Sequence, residues 1–227
     1  MPTSKTMLVL AASRKYGGRC YAGKEITIGG VGPWIRPVTE SDGALDLTCM
    51  QLPEGGMPNC LDIVELAVQE RCGFDHQREN WLLCPSVTGA RVCSLPPRLL
   101  PRFADAPNTL WATGYSSSRG QNDRVSVDWA RCCQHSLQLV ELQRLTISAQ
   151  LDYEGKRRTR GFFSYRGVDY ALAVTDPGLE QKMAWRDHDL VYDGTDHRVF
   201  ACISLGLPFE GYCYKLLAAV HLVPKGI

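Results

Sequence analysis

The chain has 227 residues, 44% of them hydrophobic and 22% charged, and a formal net charge of +1. That length buries one large core or two small ones, and the composition is ordinary for a soluble globular protein. A charge so near neutral excludes any nucleic-acid argument from bulk basicity, so such an argument must rest on where the cations sit.

Thr6–Ala12 is a short apolar run and reads as a buried strand. Ser13 to Lys24 follows as a loop with Arg14, Lys15 and Arg19 around Gly17 and Gly18. Glycines let a backbone approach an anion closely, so this is either a ligand loop or a solvated hairpin turn. GxxxxGK[ST] is absent, so it is not a P-loop. Gly29–Gly32 is a turn cluster. Pro33 and Pro37 flank Trp34, Ile35 and Arg36, which reads as an extended edge segment. Trp34 suits core or interface packing, and Arg36 could join the Arg14, Lys15 and Arg19 group. Glu40–Asn59 is irregular, Leu61–Gln69 is a strand, and His76–Cys84 is extended. Pro96–Asp105 carries one short helix. Asn108–Asp123 leads into a mobile loop rich in turn formers, and the domain boundary falls near 130/131.

Ser136–Asp176 carries the strongest pattern. Leu137, Leu139, Leu145, Ile147, Ala149 and Leu151 share one parity, with the alternation blurred at Val140–Gln143, where a bend fits. Gly155 turns the chain. Lys156, Arg158, Arg160, Phe162, Ser164 and Arg166 then lie on one face of the next strand. Arg166–Gly167 turns again, and Val168, Tyr170, Leu172 and Val174 return. Asp176 is placed to cap a short helix with Pro177 at its first position. A charged connection, Arg186–Arg198, precedes strands Val199–Leu205 and Tyr212–Val223, separated by a turn at Gly206–Gly211. Three strands, a short helix and two strands is the order of an OB-fold, and the N-terminal half offers a looser series of the same kind. The expected fold is mainly β: two OB-like small barrels, residues 1–130 with long irregular loops and residues 131–227.

The ten cysteines (20, 49, 60, 72, 84, 93, 132, 133, 202 and 213) form no CxxC. Cys132 and Cys133 are adjacent, which is poor geometry for a mutual disulfide. Reduced thiols in a cytoplasmic protein are the expectation. No apolar run reaches membrane-spanning length. His188 and His197 with Asp187, Asp189, Asp193 and Asp196 are either a cation site or a hydrated loop; no metal or cofactor is expected. HxE…CxxC, HExxH and GxSxG are absent, so no catalytic motif is recognised.

The segments LAASRKYGGRCYAGKE, WIRPV, YALAVTDP and SLGLPFEGYCYKLLAAV resemble a bacterial family of dual OB domain proteins. The resemblance spans nearly the whole chain. It implies two OB barrels and a role in nucleic-acid binding or modification, and it points to Ser13, Arg14, Lys15, Arg19, Trp34, Arg36, Asp176 and Lys215. Three functional readings follow. The first is binding of single-stranded DNA or RNA, with Lys156, Arg158, Arg160 and Arg166 on phosphates and Phe162 stacking a base. Arg14, Lys15, Arg19 and Arg36 would form its second patch. In the opposing structural reading Phe162 packs between the halves and the arginines line a solvated hairpin edge. The second reading is a nucleic-acid or nucleotide modifying enzyme centred on the Ser13–Arg19 loop, with Cys20 as a thiol nucleophile among cations. The third is a protein-interaction or regulatory subunit of a bacterial defence or RNA-processing system, with a protein partner at an exposed strand edge.

Overall fold

The computed structural model describes residues 2–15, 18–39, 49–73, 76–84, 89–152 and 154–225. The chain divides into two units, Met1–Phe103 with Gln134–Ser136, and Ala104–Cys133 with Leu137–Ile227. The expected division at 130/131 thus falls inside the second unit. Leu110, Trp111, Val125 and Ala130 lie in the second unit's core, which is why residues 104–133 belong there.

In the first unit the strands are β1 (Thr3–Lys15), β2 (Gly18–Thr27), β3 (Gly30–Val38), β4 (Asp62–Arg71), β5 (Asn80–Leu83) and β6 (Ala90–Ser94). β1 pairs with β2, β2 with β3, β3 with β5, β5 with β4, and β4 back with β1. The ring is therefore closed, with one parallel pairing, β3 on β5. β6 adds outside it on β4. Met7, Val9, Tyr21, Ile35, Val64, Leu66 and Val68 fill the interior, joined by Met50 and Leu52 from the irregular connection. A Cβ on Gly23 would stand 1.9 Å from the Leu8 carbonyl oxygen, so only glycine admits this contact between β1 and β2.

Two expectations change here. The segment Ser13–Lys24 is the end of a hairpin, with Ser13 opposite Cys20 and Arg14 opposite Arg19. Tyr16 and Gly17 of that expected loop lie outside the described residues, as do 40–48 of the irregular stretch. Pro33–Val38 is an interior strand and not an edge. Pro33 falls in the irregular register between the Lys24/Trp34 and Ile26/Val31 pairs, and Pro37 lies beyond the last β2 partner. Neither missing N–H is therefore demanded by the β2–β3 ladder.

Arg36 on β3 is 2% exposed and sits 3.2 Å from the Glu79 carboxylate. Its guanidinium also donates to Asn80 Oδ1 and Ser136 Oγ, while the Ser136 hydroxyl donates to Glu79. This ion pair and the Arg36 N–H donating to the Glu79 carbonyl hold β3 beside β5. They also account for the return of Gln134–Ser136 to the first unit.

The second unit holds β7 (Arg124–Ser126), α1 (Val127–Arg131), β8 (Leu137–Leu142), β9 (Leu145–Leu151), β10 (Arg157–Tyr165), β11 (Val168–Val174), α2 (Pro177–Met183), β12 (Leu190–Tyr192), β13 (His197–Phe209) and β14 (Tyr212–Pro224). β8 and β9 are one strand bent at Gln143–Arg144. β9 pairs with β10, β10 with β11, β11 in parallel with β14, β14 with β13, and β13 with β8. The bend lets one strand close both ends of the ring, which is the OB topology. The hairpin tips Arg166–Gly167 and Glu210–Gly211 have positive φ at both residues, as two-residue turns between twisted strands require. Gly161 faces inward, where a Cβ would meet Leu217 at 2.6 Å. β13 runs to Phe209, past the expected turn at Gly206, and β12 lies in what reads as only a charged connection.

Removing the carboxylate of the Arg36–Glu79 pair strands a buried guanidinium. Glu79→Ala is expected to lower unfolding free energy by about 3–5 kcal/mol. In urea titration its midpoint should fall with an unchanged slope.

Candidate nucleic-acid interface

Alternation sorts β10 into two faces. Gly161, Phe163 and Tyr165 are buried against the barrel core, and Arg158, Arg160, Phe162 and Ser164 point outward. Phe162 is 38% exposed, although the aromatic residues beside it on β10 and β11 are buried. Its cross-strand neighbours are Thr146 on β9 and Ala171 on β11. Around it lies a depression of about 470 Å³, lined also by Gln121, Arg144, Ser164 and Asp169. Its floor is thus aromatic and its walls offer hydrogen-bond donors, acceptors and a guanidinium.

The cations beyond it are unequal. Arg158 Nε donates to Asp152 Oδ2 at 2.9 Å and holds that carboxyl below its ordinary pKa. Lys156 pairs with Glu154 at 2.8 Å, and Arg157, on the opposite parity, lies 3.7 Å from Asp187. Arg166 reaches Asn108 Oδ1 and the Ala106 carbonyl at 3.5 Å, on the hairpin tip. Arg160 is half-buried, and its Nη1 has no hydrogen-bond partner. Burial lowers its pKa, Asp123 opposes this, and Arg119 adds to it.

Asp123 and Arg119 belong to residues 112–123, expected to be a mobile loop and found to be a tied strap. The Asp123 carboxylate accepts from the Ser117 N–H and hydroxyl, at 2.7 and 2.6 Å. Asn122 Oδ1 accepts from the Gly114 N–H, and its Nδ2 donates to the Asp169 carbonyl. Gln121 exchanges backbone hydrogen bonds with Ala171 on β11. Arg119 comes within 3.8 Å of Asp152. Underneath, Lys215 is 1% exposed, and its Nζ donates to the carbonyls of Ala112 (2.6 Å) and Asn122 (2.7 Å). The Tyr170 ring centroid is 5.1 Å away. Burial pushes the Lys215 pKa down to about 7, with Asp123 opposing. A neutral amine has two N–H donors, matching the two carbonyls.

The first unit's candidates are arranged differently. Arg14 is exposed, while Lys15, Arg19 and Cys20 are half-buried. Arg19 Nη1 donates to the Ala12 carbonyl at 3.2 Å. Ser13 is buried. Trp34 is core, with the Lys24 ammonium 5.2 Å from its ring centroid. Arg36, expected in the surface patch, is withdrawn from it by its ion pair with Glu79. In the second unit Asp176 is occupied as the N-cap of α2, accepting from the Gly178 and Leu179 N–H groups and, through its other oxygen, from Val220 N–H. Lys215 lies inside the barrel and not on its surface.

Among the described residues no three His, Cys, Asp or Glu side chains gather as a metal site. Among the described residues no helix is long and apolar enough to cross a membrane. Sequence reasoning missed Arg119, Gln121 and Arg144. Arg144 and Thr146 carry a readable signal, the polar parity of β9 opposite Ile147; Arg119 and Gln121 carry none, because only folding lays the strap beside β11.

Two closed five-strand rings, each with a parallel third-to-fifth pairing, define a tandem OB-fold protein. A family model described as the dual OB-containing domain matches residues 5–220, and the chain belongs to that family. No curated protein matches it.

Lys215 makes stability depend on pH. The folded chain releases this proton near pH 7 and the unfolded chain near 10.5, so between them the unfolded state holds the extra proton. Rising pH then favours folding, by at most about 1.4 kcal/mol per pH unit for one proton. Unfolding free energies measured from pH 7 to pH 10 should climb more steeply for the wild type than for Lys215→Met, which lacks the group.

Proposed function

We propose that the outer face of β9, β10 and β11 binds single-stranded nucleic acid, with Phe162 as the stacking platform and Arg158, Arg160 and Arg144 serving phosphates. The observation that carries this reading is the exposure of Phe162 among outward polar and cationic side chains. Leaving 38% of the Phe162 surface in water forgoes roughly 1 kcal/mol of burial, and a flat ring beside guanidinium groups offers a base both a stacking partner and charge. The fold adds weight, since small OB barrels use this strand face and its neighbouring loops for oligonucleotides. Fold alone does not assign function, so the residues must carry the case. Arg14, Lys15 and Arg19 on the first unit's hairpin are a second phosphate-contacting patch in this reading. Lys156 and Arg166 are peripheral to it, the first engaged by Glu154 and the second turned to the hairpin tip.

The enzyme reading centres on Cys20, which lies beside Arg19 and opposite Ser13 on a half-buried hairpin. Among the described residues its strand neighbours Arg19 and Ser13 supply no general base, and it is the weaker proposal. Arg36 drops out of the phosphate set because its charge is spent inside the fold.

Fluorescence anisotropy with single-stranded DNA and RNA at two salt concentrations tests the proposal. Binding in the micromolar range should weaken as salt rises, because displaced counterions drive it. Phe162→Ala should lose about tenfold or more, as one stacked base is worth on the order of 1–3 kcal/mol. Arg158→Gln should flatten the salt dependence by about 0.7 in log–log slope. Salt-insensitive binding, or an unchanged Phe162→Ala, overturns the assignment.

A further inference from the structure

The depression beside Phe162 has unlike flanks. Along β10 the outward side chains run Arg158, Arg160, Phe162 and Ser164, so the guanidinium groups precede the ring and a hydroxyl follows it. Across the ladder Ser164 stands opposite Asp169 of β11, and Phe162 opposite Ala171. Asp169 is thus a diagonal neighbour of Phe162 on the same face, and such neighbours lie about 7–8 Å apart, within reach of a flat group lying on the ring. Both line the same depression, with Arg144 on its β9 side.

The β11 flank offers acceptors. The Ser164 hydroxyl donates its one proton to Asp169 Oδ1. Ser164 then has only lone pairs left for a ligand, and an ionised carboxylate has no donor at all. Both side chains are exposed, so these lone pairs face the depression and not the core. The carboxylate also stands at a set place. The β10 ladder fixes the Asp169 backbone, and its carbonyl accepts from Asn122 Nδ2 at 2.9 Å. Gln121, Gln143 and Thr146 line the depression as well. An amide or a hydroxyl carries donor and acceptor together, so these three follow either kind of edge and discriminate little.

The complement of an acceptor flank is a base edge with two adjacent N–H donors. Guanine has that edge, in N1–H and the 2-amino group, spaced to meet the two oxygens of one carboxylate. Adenine and cytosine set a single amino group beside a bare ring nitrogen. Thymine and uracil set one N–H between two carbonyls. Each of these four brings an acceptor against the acceptor flank, where lone pair faces lone pair and specificity arises from the mismatch. The Asp169 charge also turns phosphates away from this flank, toward the arginines.

Resting on the binding reading above, we infer that the base held on Phe162 is a guanine, its Watson–Crick edge read by the Asp169 carboxylate, with Ser164 positioning that carboxylate.

The test uses the full chain and a short oligothymidylate, or its oligouridylate counterpart, in which the central base alone is varied. Affinities come from anisotropy competition. A central guanine should bind about tenfold or more tighter than the unsubstituted oligomer, and adenine or cytosine should gain much less. Hypoxanthine, which keeps N1–H and lacks the 2-amino group, should fall between guanine and the unsubstituted oligomer. In Asp169→Asn, and in Asp169→Ala as a second variant, the guanine ratio should fall toward one. The ratio is the readout, because removing a negative charge raises affinity for every oligomer alike. Both variants keep the backbone carbonyl that holds Asn122, and the side chain they alter is exposed. Equal affinity for every central base, with salt-sensitive and Phe162-dependent binding retained, overturns the inference and leaves the binding reading intact. A guanine preference that survives both Asp169 variants also overturns it. Failure of every oligomer to bind removes the binding reading itself, and the guanine inference with it.

Discussion

One buried amine, at Lys215, holds the candidate site in shape. It stands inside the mouth of the second barrel and donates to two carbonyls, Ala112 and Asn122, that lie ten residues apart in the chain. Both ends of the strap are therefore pinned to β14 from beneath. Without that pair of bonds two part-buried carbonyls would lose a donor, a cost of at most about 1–3 kcal/mol each. The barrel accepts a desolvated lysine because the alternative is worse, and the strap's rigidity follows. The first unit repeats the device in outline: buried Lys24 donates to the Phe103 carbonyl at 2.8 Å.

The rings that carry these groups close through a second constraint, close approach of strands. Gly23 admits the Leu8 carbonyl, and Gly161 admits the Leu217 side chain. Each sits on the second strand of its ring, facing matter that a Cβ would displace. At the other end of each ring a parallel contact completes the circuit, β3 on β5 and β11 on β14. In the first unit the buried Arg36–Glu79 pair sits at that contact, so a charge that looks available for ligand is used to hold strands together. Cations of the same chemical type thus serve opposite purposes: Arg36 is enclosed and neutralised, while Arg158 remains on the surface with a carboxylate beside it.

The near-neutral total charge hides this division of labour. Pairs such as Lys156–Glu154 and Arg198–Glu141 sit near or beyond the rim and contribute little net field. What distinguishes the Phe162 face is convergence. Arg119 arrives from the strap, Arg144 from the bend between β8 and β9, and Arg158 and Arg160 from β10. In the binding proposed above, this convergence is what meets a ligand with a flat ring and attached anions.

The amino-acid order by itself determined the ring strands of the second barrel. Strict alternation over Lys156–Arg166 decides which side chains face outward, because a strand has a period of two whatever surrounds it. Asp176 and Pro177 announce a helix start through local hydrogen bonding and a preset φ, and Arg166–Gly167 announces a hairpin for the same local reason. The blurred parity at Val140–Gln143 shows the bend between β8 and β9. What only the tertiary structure decided were contacts between residues distant in the chain. Arg36 and Glu79 are 43 positions apart, and nothing local says that they meet. A turn-rich stretch such as Ser116–Asp123 looks mobile by composition, and its rigidity comes from Lys215, nearly a hundred residues later. Local patterns record the conformation of each segment; burial and charge pairing depend on which segments the closed rings bring together.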